Sequence, residues 1–448
     1  MEIFIADGVC DMKKLCVLIC ALMLFLSGCG ASLTADMFAV PEMPEMHKAL
    51  IESVDTVLAD GFEFSNPRSG INREPLQLID LDGDGESEGV AFLRDVLETH
   101  KTFIYVFEMT DDGFKLFDII EGTEQELYTV SYTDVLGGEG YEIIVEWGTA
   151  LEEAHSVTIY NQTISGMEKL IEFTAESYCV ADLDRDGTNE FIASVDRNGS
   201  MFADIYGNKN GTFRISDSVP LSEGGERAIA MKSGKVTESL NAVFSEREYS
   251  DGVITDVIAY IDGEYVNILT KDNICESRVL CADINGDGIT DIPKRVQNGA
   301  SVGASDSCYR WENINPEGGA TVCAFTYHSF TDNWYMTMPK SWMTSVNTKS
   351  TVYGTGRLEI EFFTRERISG DVDDYLEAEL FTITVLRGDA AKSYREEDGK
   401  FEIYRRDDAV FCAEIMSDSY LGIGIDKEFF DDAFRIRESE WASEILFA

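Results

Sequence analysis

The 448-residue sequence lacks the motifs and residue clusters on which most enzymes rely. Its four histidines are scattered, and none pairs with a nearby histidine, cysteine or glutamate at the spacing of zinc ligands. It has no Gly-x-Ser-x-Gly elbow, no phosphate-binding P-loop and no dinucleotide fingerprint. Carboxylate pairs of the glycosidase type carry little information, because 83 acidic residues bring some carboxylates together in any fold. We therefore expect a protein that is not an enzyme.

Basic residues are also scarce. The chain has 36 lysines and arginines against 83 aspartates and glutamates, which gives a formal net charge of −47. A field of this sign repels phosphate backbones, so we expect no nucleic-acid partner, and it attracts divalent cations. A hydrophobic content of 44% still predicts a folded chain, and its length predicts two or three domains.

The cysteines form no Cys-x-x-Cys pair, which leaves zinc and redox motifs without support. Cys308 and Cys323 flank the turn-forming segment 315–319, so a disulfide between them remains open. Cys179 lies in an apolar strand pattern, which favours a plain core thiol.

The N-terminus has the pattern of a targeting segment. Lys13 and Lys14 precede the uncharged run 15–26, which is too short to span a bilayer permanently, and small residues follow. This pattern predicts a signal peptide over residues 1–28. The segment Leu26-Ser27-Gly28-Cys29 resembles the lipobox of bacterial lipoproteins, which implies acylation of Cys29 and anchoring at the extracellular face of the cell membrane. The alternative is an ordinary secretory signal with a chance cysteine.

The sequence does contain three copies of one short acidic loop. Oxygen-bearing side chains occupy positions 1, 3, 5 and 9 of each copy, and glycine occupies position 6. This spacing lets a tight turn gather carboxylates around one hard cation, and glycine suits a positive φ at the sharp turn. The predicted calcium ligands are Asp80, Asp82, Asp84 and Glu88 in loop 1, Asp182, Asp184, Asp186 and Glu190 in loop 2, and Asp283, Asn285, Asp287 and Asp291 in loop 3.

A helical calcium domain of the EF-hand or dockerin type does not fit these loops. Such loops need a carboxylate at position 12 and a helix on each side. Position 12 is Ala91, Ala193 and Lys294 in the three copies, and the flanking runs are apolar and strand-like. The loops are therefore expected between β-strands.

The loops belong to a longer repeat. Degenerate copies without the full ligand set start near residues 134 and 238, so five units follow each other with a period of about 45–55 residues. A period in this range with about four strands per unit is typical of propeller blades. Whether the two degenerate copies bind metal stays open.

The pattern Asp-x-Asp-Gly-Asp-Gly-x-x-Glu followed by a strand resembles the FG-GAP or VCBS-type repeat of integrin-α-like propellers. The resemblance covers about residues 70–325. It implies a mainly β fold with a propeller of about five blades over residues 67–325, in which structural calcium stiffens the blade edges. The whole layout is similar to VCBS-like lipoproteins of Gram-positive bacteria.

The segments on either side of the repeats have their own patterns. Residues 29–66 are expected to form a lipid-anchored tether, with one helix between Met46 and Leu58. Residues 326–448 are expected to form a small α+β domain. Aromatic residues cluster between residues 309 and 342, where we favour a buried core over a platform that binds a glycan or peptide.

These patterns together predict a surface lipoprotein whose calcium-stabilised propeller acts as a binding or scaffolding module at the cell envelope. Its partners would be the membrane, through the lipid anchor, and a protein or glycan ligand. The alternative function is a cell-wall or glycan-processing enzyme with a site on the propeller face. A further alternative is an accessory lipoprotein of an envelope complex.

Overall fold

The fold is mainly β, as the sequence predicted. The computed structural model describes residues 45–97, 100–122, 126–149, 154–209, 212–250, 252–275, 279–296, 306–354, 356–367, 375–396, 400–406 and 408–437. The predicted signal peptide and the predicted lipidation site Cys29 lie outside these residues.

The first three sheets are antiparallel meanders, in which consecutive strands pair. In sheet 1, β1 and β2 both pair with β3 and together occupy one edge. Sheet 1 contains β1 (Phe62–Phe64), β2 (Leu76–Ile79), β3 (Glu88–Asp95), β4 (Thr102–Thr110) and β5 (Gly113–Glu121). Sheet 2 contains β6 (Leu127–Thr133), β7 (Glu142–Trp147), β8 (His155–Thr163) and β9 (Gly166–Ala175). Sheet 3 contains β10 (Ser177–Ala181), β11 (Glu190–Asp196), β12 (Met201–Lys209) and β13 (Thr212–Pro220).

Sheets 4 and 5 continue this pattern, and sheet 6 has one crossover, with the order β23-β24-β25-β27-β26. Sheet 4 contains β14 (Ala228–Thr237), β15 (Leu240–Tyr249), β16 (Gly252–Ile261), β17 (Glu264–Asn267) and β18 (Ile274–Cys275). Sheet 5 contains β19 (Ile292–Val296), β20 (Asp306–Ile314), β21 (Ala320–Ser329) and β22 (Trp334–Met338). Sheet 6 contains β23 (Val346–Tyr353), β24 (Arg357–Arg367), β25 (Tyr375–Arg387), β26 (Lys400–Arg406) and β27 (Ala409–Ile415).

The inner strands have both faces buried. In β3, Val90 and Phe92 face sheet 2, whereas Ala91 and Leu93 face the opposite side, because successive side chains of a strand alternate between faces. All four are fully buried. This is why the strand has the continuous apolar run by which the sequence predicted it.

Each sheet packs against the next one in the sequence. Hydrophobic clusters join sheets 1 and 2 around Trp147, sheets 2 and 3 around Phe191, and sheets 3 and 4 around Val243. Phe244 points the other way and joins sheet 4 to sheet 5, and Phe362 lies between sheets 5 and 6. In the described part of the chain, no sheet closes into a barrel and no hydrophobic cluster joins sheet 6 to sheet 1.

Helix α1 (Glu45–Leu58) matches the predicted helix and covers the outer face of sheet 1. Leu50 and Val54 are fully buried against Leu93 and its neighbours. Gly89 permits the close approach, since a Cβ at this position would lie 2.4 Å from the Leu50 side chain. The helix therefore packs as part of the fold. None of the helices in the described ranges has the length and apolar character needed to cross a membrane.

The last described strand belongs to sheet 5. The division expected between residues 325 and 326 falls inside β21, and the last described strand, β30 (Phe434–Ile436), pairs with β22. Around sheet 6 lie α2 (Gly388–Ser393), α3 (Lys427–Ala433) and a ribbon of β28 (Ser419–Tyr420) and β29 (Ile423–Gly424), besides a 3₁₀ turn at Lys340–Trp342. Residues 326–338 therefore belong to the fifth sheet.

The aromatic cluster is core, as favoured from the sequence. Trp311, Trp334 and Trp342 are fully buried, as are the two tyrosines Tyr309 and Tyr327. They fill the contacts between sheets 5 and 6 and the other face of sheet 5.

The disulfide left open between Cys308 and Cys323 is not formed. Cys308 pairs in register with Tyr327 and points toward sheet 6, whereas Cys323 packs on the opposite face of sheet 5. The two side chains therefore point apart. Within the described ranges, the six cysteines form no disulfide with one another.

Candidate metal sites and a basic pocket

The acidic loops occupy equivalent places in successive sheets. Loop 1 joins β2 to β3, the degenerate loop 134–142 joins β6 to β7, and loop 2 joins β10 to β11. Loop 3 leads into β19 and is closed by a bridge between Ala282 and Asp291. Loops 1 and 2 and the degenerate loop thus enter an inner strand that carries a buried apolar run, whereas loop 3 enters the edge strand of sheet 5.

Hydrogen bonds join these loops into one row. The backbone N–H of Tyr141 donates to Leu81 of loop 1, and Asn189 of loop 2 donates to the Asp134 carbonyl at 2.9 Å. The row continues into sheets 4 and 5. Asn241 donates to the Asp182 carbonyl at 2.7 Å, and the N–H of Thr290 donates to Lys235 at 2.9 Å. We call this set of stacked turns the acidic row.

One hydrogen-bond pattern shapes every loop. In loop 1 the Asp80 carboxylate accepts the N–H groups of Gly83 and Gly85, at 2.8 and 3.0 Å. The Glu88 carboxylate accepts the N–H of Leu81 at 2.7 Å. This bond from position 2 to position 9 recurs in loop 2, in loop 3 and in the degenerate loop, at 2.8, 3.0 and 2.7 Å. The carboxylates at positions 1 and 9 therefore shape the loop through hydrogen bonds to its backbone.

The loops turn through left-handed backbone at two positions. The predicted positive φ at position 6 is confirmed, with values of 89° at Gly85, 93° at Gly187 and 82° at Gly288. Position 4 also has positive φ, which the sequence pattern did not predict. It is glycine in loops 1 and 3 but Arg185 in loop 2, where φ is 62°.

Loops 1 and 2 each gather three carboxylates at a spacing that suits calcium. One oxygen from each of Asp80, Asp82 and Glu88 lies within 4.8 Å of the others, and Asp182, Asp184 and Glu190 do the same. Calcium binds oxygen at about 2.3–2.6 Å, so ligand atoms on opposite sides of the ion lie about 5 Å apart. In loop 2, the Oδ1 atom of Asp182 is buried and accepts no hydrogen bond, which fits a missing cation. The donor set therefore fits calcium in both loops.

The remaining predicted ligands are arranged differently. Asp84 and Asp186 lie outside the two clusters, and each accepts the N–H of the residue two positions later. In loop 3, Asn285 donates to Asp287 at 2.9 Å. Asp291 accepts bonds from the N–H of Ile284 and from Asn313. Within the described ranges, clusters of three carboxylates therefore form in loops 1 and 2, while the side chains of loop 3 bond to one another, to the loop backbone and to Asn313.

Burial raises the pKa of the carboxyl group at position 9. The pKa is about 7 for Glu88 and Glu190 and about 6 for Asp291. Burial is the largest cause, and the neighbouring carboxylates add to it by repelling the charged form. A divalent cation at the loop would act in the opposite direction and favour the ionised form.

A pocket of about 890 Å³ lies beside sheets 4 and 5 and is lined by an excess of positive charge. Lys294 is buried, and its ammonium donates to the backbone carbonyls of Asp272 and Ile274. Burial lowers the pKa of this ammonium group. The charged lining residues are Lys271, Asp272, Lys294, Arg295, Arg310 and Glu312. The pocket lining thus has more cations than carboxylates, four against two, whereas the whole chain has an excess of carboxylates.

Sequence reasoning missed this pocket, and little in the sequence indicates it. Its cations come from the two strands β19 and β20 and from the segment between β17 and β18, so they form no long basic run. Only the stacking of sheets 4 and 5 brings them together.

Comparisons with known proteins give little further information. No known protein family matched the sequence, and no curated protein matched it. Among solved structures, rhamnogalacturonan lyase YesW is similar at 11% identity with a TM-score of 0.32, over 70% of this chain and 68% of that one. The exotype rhamnogalacturonan lyase YesX is similar at 11% identity with a TM-score of 0.25, over 68% and 71%. These scores are too low to carry an argument about fold or activity.

Proposed function

We propose that this chain is a calcium-stabilised binding module anchored to the outer face of the cell membrane through Cys29. The lipobox-like segment 26–29 supports the anchor. The carboxylate clusters of loops 1 and 2 support the calcium sites. Calcium has a structural role in this proposal, because the loops lie in the acidic row, where neighbouring sheets meet.

The repeats are proposed to be blades of the FG-GAP or VCBS type, about five in number. The support is topological. Sheets 1 to 5 are antiparallel sheets of four or five strands that pack face to face in sequence order, and a loop of one design precedes a strand in four of them. Helix α1 covers the outer face of sheet 1, which in a closed propeller would meet another blade.

The observation that carries the binding function is the basic pocket. In a chain with a net charge of −47, most of the surface repels anions, and the pocket offers four cations close together. Its volume lies in the range of ligand sites. Lys271 and Arg295 have no ion-pair partner among the described residues. The pocket therefore suits an anionic ligand of the size of a short acidic glycan.

Binding of a uronic-acid oligosaccharide, measured by calorimetry against a neutral glucose oligosaccharide of equal length, tests this function. We expect the acidic probe alone to bind, and its affinity to fall with added salt. The double variant Lys271→Ala/Arg295→Ala should lose this binding. The matched control Lys349→Ala/Arg365→Ala removes two cations of sheet 6 outside the pocket and should retain it. Equal binding of the neutral probe, or no difference between the two double variants, would contradict the proposal.

A second candidate function is processing of an acidic cell-wall glycan at the same pocket. It is favoured by Lys294, because the lowered pKa of its ammonium makes the neutral amine, which is able to accept a proton, easier to form. Turnover of acidic cell-wall fragments that is lost in Lys294→Met but retained in Lys349→Ala would establish it. Binding without turnover would leave the binding module as the function.

A further inference from the structure

A glutamine from sheet 2 reaches into the first calcium loop. Gln162 lies near the end of β8, and its Nε2 atom is 3.4 Å from Oδ2 of Asp82, although the two residues are 80 positions apart in the sequence. The residue is only 8% exposed. Its Oε1 atom is buried and accepts no hydrogen bond. A buried, unpaired amide oxygen therefore lies beside a cluster of three carboxylates.

The amide presents its NH₂ group to the carboxylate of Asp82. Next to a bare carboxylate, the NH₂ group of an amide is attracted and the oxygen is repelled. A cation between Asp80, Asp82 and Glu88 reverses this preference. A half-turn of the amide exchanges its oxygen and nitrogen without moving the rest of the side chain. The oxygen then faces the ion, and amide oxygens are regular calcium ligands.

The equivalent position in the next sheet serves as a comparison. Gln162 pairs with Met167 and Asn208 pairs with Phe213, in each case one step from the end of the hairpin. Asn208 also reaches back to the preceding sheet, where it donates to the Leu136 carbonyl of the degenerate loop at 2.8 Å. That loop has no carboxylate at positions 3 and 5, and the Asn208 amide finds a backbone partner instead. A polar side chain from the following sheet thus meets loop 1 and the degenerate loop, and of these two side chains Gln162 is the one that meets a cluster of carboxylates.

We propose that Gln162 is a ligand of the cation bound by loop 1. The ion is then held by Asp80, Asp82 and Glu88 from sheet 1 and by the Gln162 amide oxygen from sheet 2. It adds a link between two sheets that apolar packing, hydrogen bonds and the Arg68–Glu126 ion pair also join. This inference rests on the proposed binding of calcium by loop 1, and it adds the residue through which binding couples the two sheets.

The test is calcium titration calorimetry on the full chain carrying Asp182→Asn, which removes a ligand of loop 2 so that loop 1 dominates the signal. In this background, Gln162→Leu keeps the size of the side chain but removes the oxygen, and it should weaken calcium binding about tenfold or more. Gln162→Glu supplies a charged oxygen and should bind at least as tightly as the parent. The matched control Asn208→Leu should leave the affinity unchanged.

The outcomes distinguish two claims, that loop 1 binds calcium and that Gln162 is one of its ligands. If the parent binds calcium and Gln162→Leu binds it equally well, Gln162 is not a ligand and the inference is overturned, while calcium binding by loop 1 stands. If the parent does not bind calcium, both claims fail. Far-ultraviolet circular dichroism checks the fold of each variant. If Gln162→Leu does not fold, Gln162→Asn is measured instead. Its shorter side chain keeps the amide but places the oxygen farther from the loop, so it should also weaken calcium binding.

Discussion

At the scale of single residues, the carboxylates of the acidic loops have two separable roles. Asp134 and Glu142 of the degenerate loop accept the same kinds of backbone N–H bond as their counterparts in loops 1 and 2, although position 3 of that loop is Leu136. Positions 1 and 9 thus shape the turn, and an acidic residue at position 3 completes the cluster. This explains how an eroded copy keeps its fold without its ligands.

Asp182→Asn tests the metal role of position 1. The variant removes one charge but keeps an oxygen for the bond from Gly187, which is 3.1 Å long. We expect calcium affinity at loop 2 to fall by about tenfold or more, because charge count sets affinity in such sites. Melting in EGTA should be unchanged or higher, since one of three mutually repelling carboxylates is gone. Calorimetry and thermal melts measure both effects.

The control for this variant is Asp134→Asn in the degenerate loop. It makes the same chemical change at position 1 of a loop that lacks a carboxylate at position 3. It should leave calcium binding unchanged. An equal loss of calcium affinity in the two variants would show that the effect is not local to loop 2.

His328 predicts a pH dependence of stability. Burial and the nearby Arg437 guanidinium hold the pKa of its imidazole well below the ordinary value. Below about pH 6.5 the unfolded chain takes up a proton at this histidine that the folded protein refuses, so the free energy of unfolding falls as the pH decreases. Between pH 7 and pH 5.5 this single group should account for about 1 kcal/mol.

Urea unfolding of the wild type and of His328→Gln at both pH values isolates this group, because all other titrations are common to the two proteins. We expect the wild type to lose more stability than the variant between pH 7 and pH 5.5. Parallel losses would mean that His328 is protonated in the folded protein.

At the scale of elements, α1 packs on the outer face of sheet 1 and buries it. Leu50 is fully buried over Gly89, so Leu50→Ala leaves a cavity and should cost about 2–5 kcal/mol. Met46 is 39% exposed on the same helix, and Met46→Ala should cost much less. Chemical denaturation of the two variants gives the comparison. If both lose the same small amount, α1 is not part of the cooperative unit.

The helices and strands that were predictable from the sequence are those specified by local sequence patterns. The strand 88–95, the helix 46–58 and the glycine turns were predictable, because periodicity, apolar runs and turn residues act within a few positions. The extent of sheet 5 was not predictable. Its edge strand Phe434–Ile436 comes from a segment about 100 residues after β22, and no local pattern specifies such a pairing.

The candidate sites likewise have parts that local sequence patterns specify and parts that they do not. The ligand positions in loops 1 and 2 were predictable from spacing within nine residues, and the structure brings positions 1, 3 and 9 together. Position 5 and loop 3 stay predictions, and in the structure their side chains bond to their own turns. Gln162 and the basic pocket depend on contacts between sheets, which spacing along the chain does not specify.

At the scale of the whole molecule, the acidic row links the net negative charge of the chain to the contacts between sheets. The chain carries 47 more negative than positive charges, and the row concentrates carboxylates where neighbouring sheets meet. Without cations these groups repel one another. In the proposed function, calcium bound there offsets this repulsion at the contacts between sheets.

Thermal melting of the full chain in calcium and in EGTA tests this account most directly. Two sites with dissociation constants in the range of extracellular calcium modules should each add about 1–3 kcal/mol at 10 mM calcium, by mass action. The melting temperature should therefore rise with calcium concentration, and magnesium should replace calcium poorly. The double variant Asp82→Asn/Asp182→Asn should show little of this rise. A wild-type melt that is the same in EGTA and in 10 mM calcium would contradict the account.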